Sequence, residues 1–215
     1  MVIKMNWRLA SRLSVIVMAL LVVVLVIFLQ DIEQRFRGSF AANGQSANLS
    51  GLQGTNLGST PAPNFRLTDQ FGTPVSLSQF KGKPVVLTFL YTHCKDLCPL
   101  TAEKLHAVMQ NLGSDAPKVA VLAVSIDPKG DTTSAALAFS KAHKMEGYWH
   151  FLTGSFNTLS PIWSNYDVYA DTSEQSVNHS FALYVIDKQG HERIFLNDSF
   201  TPAELTADLK ILLGE

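Results

Sequence analysis

The chain is short of charge. Only 16% of its 215 residues are Asp, Glu, Lys or Arg, against roughly 25% in ordinary soluble domains. Neither sign is in excess: 17 basic residues face 18 acidic ones, a formal net of −1. That balance excludes a general nucleic-acid binder, which needs a basic surface. Cysteine is scarce as well, with two in the whole chain, so this is not a small domain stapled by disulfides. Apolar residues are plentiful at 47%, too many for a disordered protein. The length fits one domain with additions, or at most two small ones. The missing charge implies that part of the chain lies outside water.

That part is local. The 17 residues from 13 to 29, LSVIVMALLVVVLVIFL, carry no charge. As a helix they extend roughly 26 Å, near the lower limit for crossing a hydrocarbon core. The run is longer than the apolar stretch of a cleaved signal peptide, and a small-residue pattern, Ser39-Phe40-Ala41-Ala42, comes well after it. These features predict an uncleaved transmembrane anchor over residues 13–30. No cysteine stands near the run, which argues against a lipoprotein. Lys4, Arg8 and Arg12 precede it without an acid, whereas Asp31, Glu33, Arg35 and Arg37 cancel after it. By the positive-inside rule, residues 1–12 form a cytoplasmic tail and everything beyond residue 30 faces outward. The tail is too short and too poor in serine for a mitochondrial transit peptide, so the expected location is a bacterial cell membrane.

Residues 38–60 are Gly-, Ser-, Asn- and Gln-rich without a period. Residues 31–60 are therefore expected to be a flexible tether, with a reach of roughly 30 Å. The remaining stretch, residues 61–215, carries 12 basic and 16 acidic residues, a net of −4. It is long enough for one sizeable core, and it holds no internal repeat.

Strand and helix patterns alternate along it. Phe65-Arg66-Leu67 and Val75-Ser76-Leu77 flank Gly72 and predict a hairpin. Residues 85–91 (VVLTFLY), 119–126 (VAVLAVSI) and 181–187 (FALYVID) are near-continuous apolar runs, as strands buried on both faces should be. Helical spacing covers 99–112, 132–143, 156–166 and 202–213, with a short strand at 150–152 and a hairpin partner at 192–196. This order implies an α/β sheet covered on both faces.

Both cysteines sit together, in Tyr91-Thr92-His93-Cys94-Lys95-Asp96-Leu97-Cys98-Pro99. They fall between the carboxyl end of a buried strand and the start of a helix, where open α/β sheets place ligands. Pro99 suits a first helical position, so Cys98 is expected at the N-cap, where free N–H groups and the helix dipole favour a thiolate. A four-residue separation suits a shared metal or a small disulfide ring. Two unrelated thiols or a purely structural bridge are the plainer alternatives, although so short a loop constrains little of the unfolded chain. Two soft thiolates suit Cu(I). A third ligand would come from among His93, His106, His143, His150, His179 and His191. His93 lies at the strand end and His106 more than a turn into the helix. His143, His150 and His191 sit by polar loops or turns and are expected to be solvated. His179 stands apart, because it directly precedes the run 181–187.

These segments resemble the SCO/SenC family. The matching blocks are YTHCKDLCP, SIDPKGDT (125–132), FLTGS (151–155) and VNHSFALYVIDKQG (177–190). The resemblance spans nearly all of residues 61–213 and fits a single N-terminal anchor. It implies a thioredoxin-like fold. It also implies copper held by Cys94, Cys98 and His179 and delivered to the binuclear CuA centre of cytochrome c oxidase. The implied partners are the oxidase subunit carrying CuA and another copper chaperone or thiol reductant. Two positions depart from the family pattern: Asn178 stands where Asp is common, and Lys95 where Pro is common. Neither removes a ligand, but Asn178 changes the surroundings of His179. Asp127 and Pro128 match a family pair and equally suit a turn after a strand.

The competing reading is a thiol–disulfide oxidoreductase cycling Cys94 and Cys98 against a partner's cysteines, including those of CuA. Against it stand the extra residue between the cysteines and the absence of the proline that thioredoxin-type enzymes place before the facing strand, where this chain has Asn178-His179-Ser180. A peroxidase-like reading, suggested by Thr92 before Cys94, leaves the distal histidine unexplained.

Overall fold

The structure, a computed structural model, describes residues 51–172 and 177–215. The expected tail (1–12), the anchor (13–30) and most of the expected tether lie outside these residues. Among the described residues, no helix is long and apolar enough to cross a membrane.

The elements run in chain order. Strand β1 (Thr55–Pro61) leads into the hairpin β2 (Arg66–Thr68) and β3 (Pro74–Ser76), then β4 (Val85–Leu90) and helix α1 (Leu97–Leu112). Strand β5 (Ala120–Ser125), helix α2 (Thr133–Ala142), strand β6 (His150–Leu152) and helix α3 (Phe156–Asn165) follow. Short strands β7 (Ala170–Asp171) and β8 (Asn178–His179) precede β9 (Leu183–Ile186), β10 (His191–Leu196) and helix α4 (Pro202–Gly214). The main sheet has the order β1-β10-β9-β4-β5-β6. Within it β4, β5 and β6 are parallel, while β9, β10 and β1 pair antiparallel.

Strand β4 is central and buried at every position, so its side chains must divide between two cores. Val86 and Leu90 join the cluster that contains Leu105 of α1 and Leu209 of α4. Val85, Leu87 and Phe89 join the cluster beneath the β2–β3 hairpin and α3. Thr88, fully buried, donates its hydroxyl to the Ala182 carbonyl (3.0 Å), so this inward polar group is satisfied. The expected α/β layering and the expected hairpin are both present.

Two expectations need correction. Residues 55–60 are expected in the tether, yet with Pro61 they form β1 on the edge of the sheet. Six of its seven residues are exposed, so no hydropathy pattern marks it. Backbone pairing with β10 makes the strand, and Ala62 N–H continues it to the Gly190 carbonyl (2.9 Å). Just before it, Gly54 has φ +86° and lies where a Cβ would stand 2.6 Å from Leu196 Cδ2, a place only glycine fits. Helix α1 begins at Leu97 with Asp96 as N-cap, so Cys98 sits inside the first turn rather than at the cap.

Leu52, 3% exposed, belongs to the core, and the next residue, Gln53, donates its N–H to Asp208 Oδ1 on α4 (2.8 Å). Asp208 is fully buried, and its Oδ2 has no hydrogen-bond partner among the described residues. Burial pushes its pKa up to about 6, with the Gln53 N–H opposing and Glu204 adding to the rise. A free aspartate releases its proton near pH 4. The native state thus holds this proton to higher pH than the unfolded chain does. Its contribution to stability is complete below about pH 4 and is lost as pH rises through about 6. Asp208→Asn, which keeps an acceptor for Gln53, is expected to be more stable than the parent above pH 6, on the order of 2 kcal/mol. Denaturant unfolding across pH 4 to 8 measures this; parallel profiles would contradict it.

Candidate metal centre

The site forms where β4 and β5 end. Beyond β4 the chain turns, with Cys94 N–H reaching the Tyr91 carbonyl (3.4 Å). The turn is clamped by Asp131, 4% exposed. Asp131 Oδ1 accepts the Thr92 N–H (2.8 Å) and the Thr92 hydroxyl (2.7 Å), while Oδ2 accepts the Ser125 hydroxyl (2.6 Å). Burial raises the Asp131 pKa, opposed by the bonds from Ser125 and Thr92. One carboxylate therefore binds the end of β4 to the end of β5.

The two cysteines differ sharply. Cys94 is half-buried and Cys98 fully buried, and both are free thiols. Cys94 Sγ accepts the Cys98 N–H (3.4 Å). A sulfur four residues upstream thus takes one of the orphan donors of the helix start, the work an Asp or Ser cap side chain usually does. Burial pushes the Cys94 thiol up. Hydrogen bonds from the Asp96 and Cys98 backbones and from the Cys98 and Tyr91 side chains outweigh it, and the net pKa is lowered. Cys98 is pushed strongly up, chiefly by burial.

His179 lies on β8, whose partner is β7: Ala170 pairs with His179 and Asp171 with Asn178. Tyr169 and Ser180 close this small hairpin, with Ser180 N–H bonded to the Tyr169 carbonyl and Tyr169 N–H to Ser180 Oγ, each 3.0 Å. His179 Nδ1 donates to the Ser180 carbonyl (2.9 Å), so the lone pair stays on Nε2. Burial lowers the His179 pKa, opposed by that carbonyl; a neutral imidazole is the form that ligates metal. The imidazole meets the Tyr91 ring edge to face, with centroids 5.7 Å apart at 83°. The structure thus joins Cys94 and Cys98 at one helix end and sets His179 against the side chain of Tyr91, three residues before Cys94.

The other histidines have partners of their own. His106 lies by Gln110 and the Tyr148 ring, and His143 lies tilted against the Phe139 ring, with centroids 4.5 Å apart. His191 faces Asp187 (3.7 Å). His150, expected to be solvated, instead bonds the buried Asp69 (3.0 Å). His93 Nδ1 contacts Thr92 Oγ1 (3.2 Å). His93, Asp127 and Asp131 each bring one ligand-type atom within 4.8 Å of the others. Asp127 Oδ1 is already taken by the N–H groups of Lys129 and Gly130 (3.1 and 2.9 Å), and Asp131 by Thr92 and Ser125, so these carboxylates shape the loop. Gly130 fits because a Cβ there would stand 3.0 Å from His93 Nδ1 and closer still to Asp127.

Reading the sequence missed Asp131 and Tyr91. Asp131 lies inside a block already singled out, and an acid among Ser and Thr at a strand end is the available signal. Tyr91 reads as the last residue of an apolar strand, so its polar end leaves no trace in the pattern.

The SCO1/SenC family model matches residues 53–214, and the chain belongs to that family. The match includes β1. A solved structure of Bradyrhizobium japonicum ScoI with copper bound is 31% identical, covers 72% of this chain and 100% of its own, and aligns with a TM-score of 0.65. Apo Sco1 from Thermus thermophilus is 27% identical, covers 78% of this chain and 98% of its own, and aligns at 0.64. The fold is thioredoxin-like, as these neighbours are. The mitochondrial SCO2 homolog of Mus musculus is 31% identical over 137 residues, 59% of this chain and 52% of its own. The chain spans about half the length of the curated relatives it matches.

The thiol asymmetry has a direct readout. Iodoacetamide is expected to modify Cys94 of the native reduced chain at least about tenfold faster than Cys98, because a thiolate must be both populated and reachable. Mass spectrometry of timed digests measures the order; equal rates would contradict the burial of Cys98.

Proposed function

We propose that the chain is a membrane-anchored copper carrier, with residues 13–30 in a bacterial cell membrane and the domain on the extracytoplasmic side. Cu(I) is its cargo, held by Cys94, Cys98 and His179 and delivered to the CuA centre of cytochrome c oxidase. The observation that carries this reading is the pair of free thiols meeting at one helix end. Two soft sulfur donors and one imidazole suit Cu(I). The family membership and a copper-bound relative at 31% identity support the metal.

The chemistry follows from the difference between the two sulfurs. Cys94, half-buried, is the sulfur an incoming acceptor thiolate reaches first; Cys98 is the last to let go. Three ligands leave coordination space for the acceptor to enter before the donor leaves. Copper and a Cys94–Cys98 disulfide exclude one another, so oxidation state gates loading. The donor would be another copper chaperone, and a thiol reductant would keep the pair reduced.

One observation favours a second reading as a thiol–disulfide oxidoreductase. Cys94 is reachable with its pKa lowered, while Cys98 is buried with its pKa raised, the arrangement of an attacking and a resolving thiol.

Copper titration of the reduced full-length chain in detergent, against a strong Cu(I) competitor, separates the two. The expected result is one copper per chain, with His179→Ala weakening binding at least about tenfold, roughly 1.4 kcal/mol. Equal affinity and stoichiometry in His179→Ala would end the three-ligand model. Turnover of a mixed disulfide by copper-free protein, lost in Cys94→Ser but unchanged in His179→Ala, would favour the oxidoreductase.

A further inference from the structure

The ends of β4 and β8 meet at one side chain, Tyr91. Its ring lies edge to face against the His179 imidazole, with centroids 5.7 Å apart. Its hydroxyl reaches the Val177 carbonyl (3.4 Å), on the residue before β8. Its backbone carbonyl accepts the Cys94 N–H (3.4 Å). Tyr91 thus meets His179 through its ring and Cys94 through its backbone without offering a ligand of its own.

The His179 hairpin needs such a contact. Strands β7 and β8 hold only two residues each and form a sheet of their own, separate from the main one. Two-residue strands have little stability by themselves. The Cys loop, in contrast, is fixed by Asp131 to the sheet ends. Without a link between them, His179 and the cysteines would each be well placed locally and poorly placed relative to one another.

The geometry points to Tyr91 as a positioning residue: a latch that holds the His179 hairpin on the Cys94 loop and so sets how long copper stays in the site. The inference rests on the copper reading and deepens it. The Tyr91 hydroxyl donates its one proton to the residue before β8, while the Tyr91 carbonyl holds the Cys94 turn. Any movement of one loop is felt at the other. Because the phenol is not a ligand, its removal leaves the donor set complete and alters the rate at which it opens.

Two variants of the full-length chain test this. Tyr91→Phe keeps the ring against His179 and removes the hydroxyl; Tyr91→Leu removes both. In the copper-free chain, hydrogen exchange at the Ser180 amide, which bonds Tyr169, is expected to speed up severalfold in Tyr91→Phe and further in Tyr91→Leu. In the loaded chain, Tyr91→Phe should keep one copper per chain. It should release copper to a chelator about tenfold faster and shift the thiolate charge-transfer band of the Cu(II)-loaded form. The melting temperature of the copper-free domain should stay at the parent value. Unchanged exchange at Ser180 would overturn the latch with or without metal. Unchanged release and spectrum in Tyr91→Phe would overturn it while leaving the copper reading intact. Faster release accompanied by a matching fall in melting temperature would also overturn it, since it would mean general loosening. Failure of the parent chain to take up copper would defeat the copper reading, and the hydrogen-exchange arm would still decide the latch.

Discussion

A carboxylate buried at the junction of two parallel strands accepts three hydrogen bonds, one from a backbone N–H and two from hydroxyls. That junction at Asp131 is the constraint on which the functional end of the molecule rests. Burial of the group is costly, and its raised pKa registers the cost. The three donors offset it, since hydrogen bonds to a charged group are the strong ones. The dependence is mutual: with the carboxylate gone, the Thr92 N–H and the Thr92 and Ser125 hydroxyls would lose their acceptor. The turn from Tyr91, the half-buried sulfur and the start of α1 flank Thr92 and take their position from this clamp.

The helix start shows how that position becomes chemistry. An ordinary cap would place an oxygen over the first N–H groups. Here the sulfur of Cys94 takes that place, so one donor both stabilises the helix and populates a thiolate. Cys98, one turn on, points into the core with the apolar side chains of α1 and β4. Two identical residues four apart thus differ in reach and in acidity because one faces the helix end and the other the interior.

Much of this could be read from the residues alone. The strands β4, β5 and β9 are apolar almost throughout, and such runs admit few alternatives between Gly and Pro punctuation. The cysteine pair and the position of His179 before β9 were equally legible, because spacing and strand ends are local features. What escaped notice was made by backbone or by single polar atoms. Strand β1 is exposed along nearly its whole length and exists through its hydrogen bonds to β10. His150, beside a polar loop, reads as solvated, but it bonds an aspartate 81 positions away. The Tyr91 hydroxyl is one atom at the end of an apolar strand. Hydropathy does not register any of these, because each depends on what the fold brings opposite.

Strand β1 also decides which backbone edge the sheet of the described residues presents. Without it, the six residues of β10 would present an open row of backbone donors and acceptors, a template for pairing with another chain. By covering that edge, β1 becomes the edge itself, and it makes a poor template. Its pairing with β10 slips between Asn56 and Thr60, Gly58 sits at φ +77°, and Pro61 offers no N–H. The stretch that composition alone assigns to a linker is therefore a guard against self-association. A domain cut at residue 61, where the hydropathy pattern begins, would carry the site intact and leave the sheet unprotected.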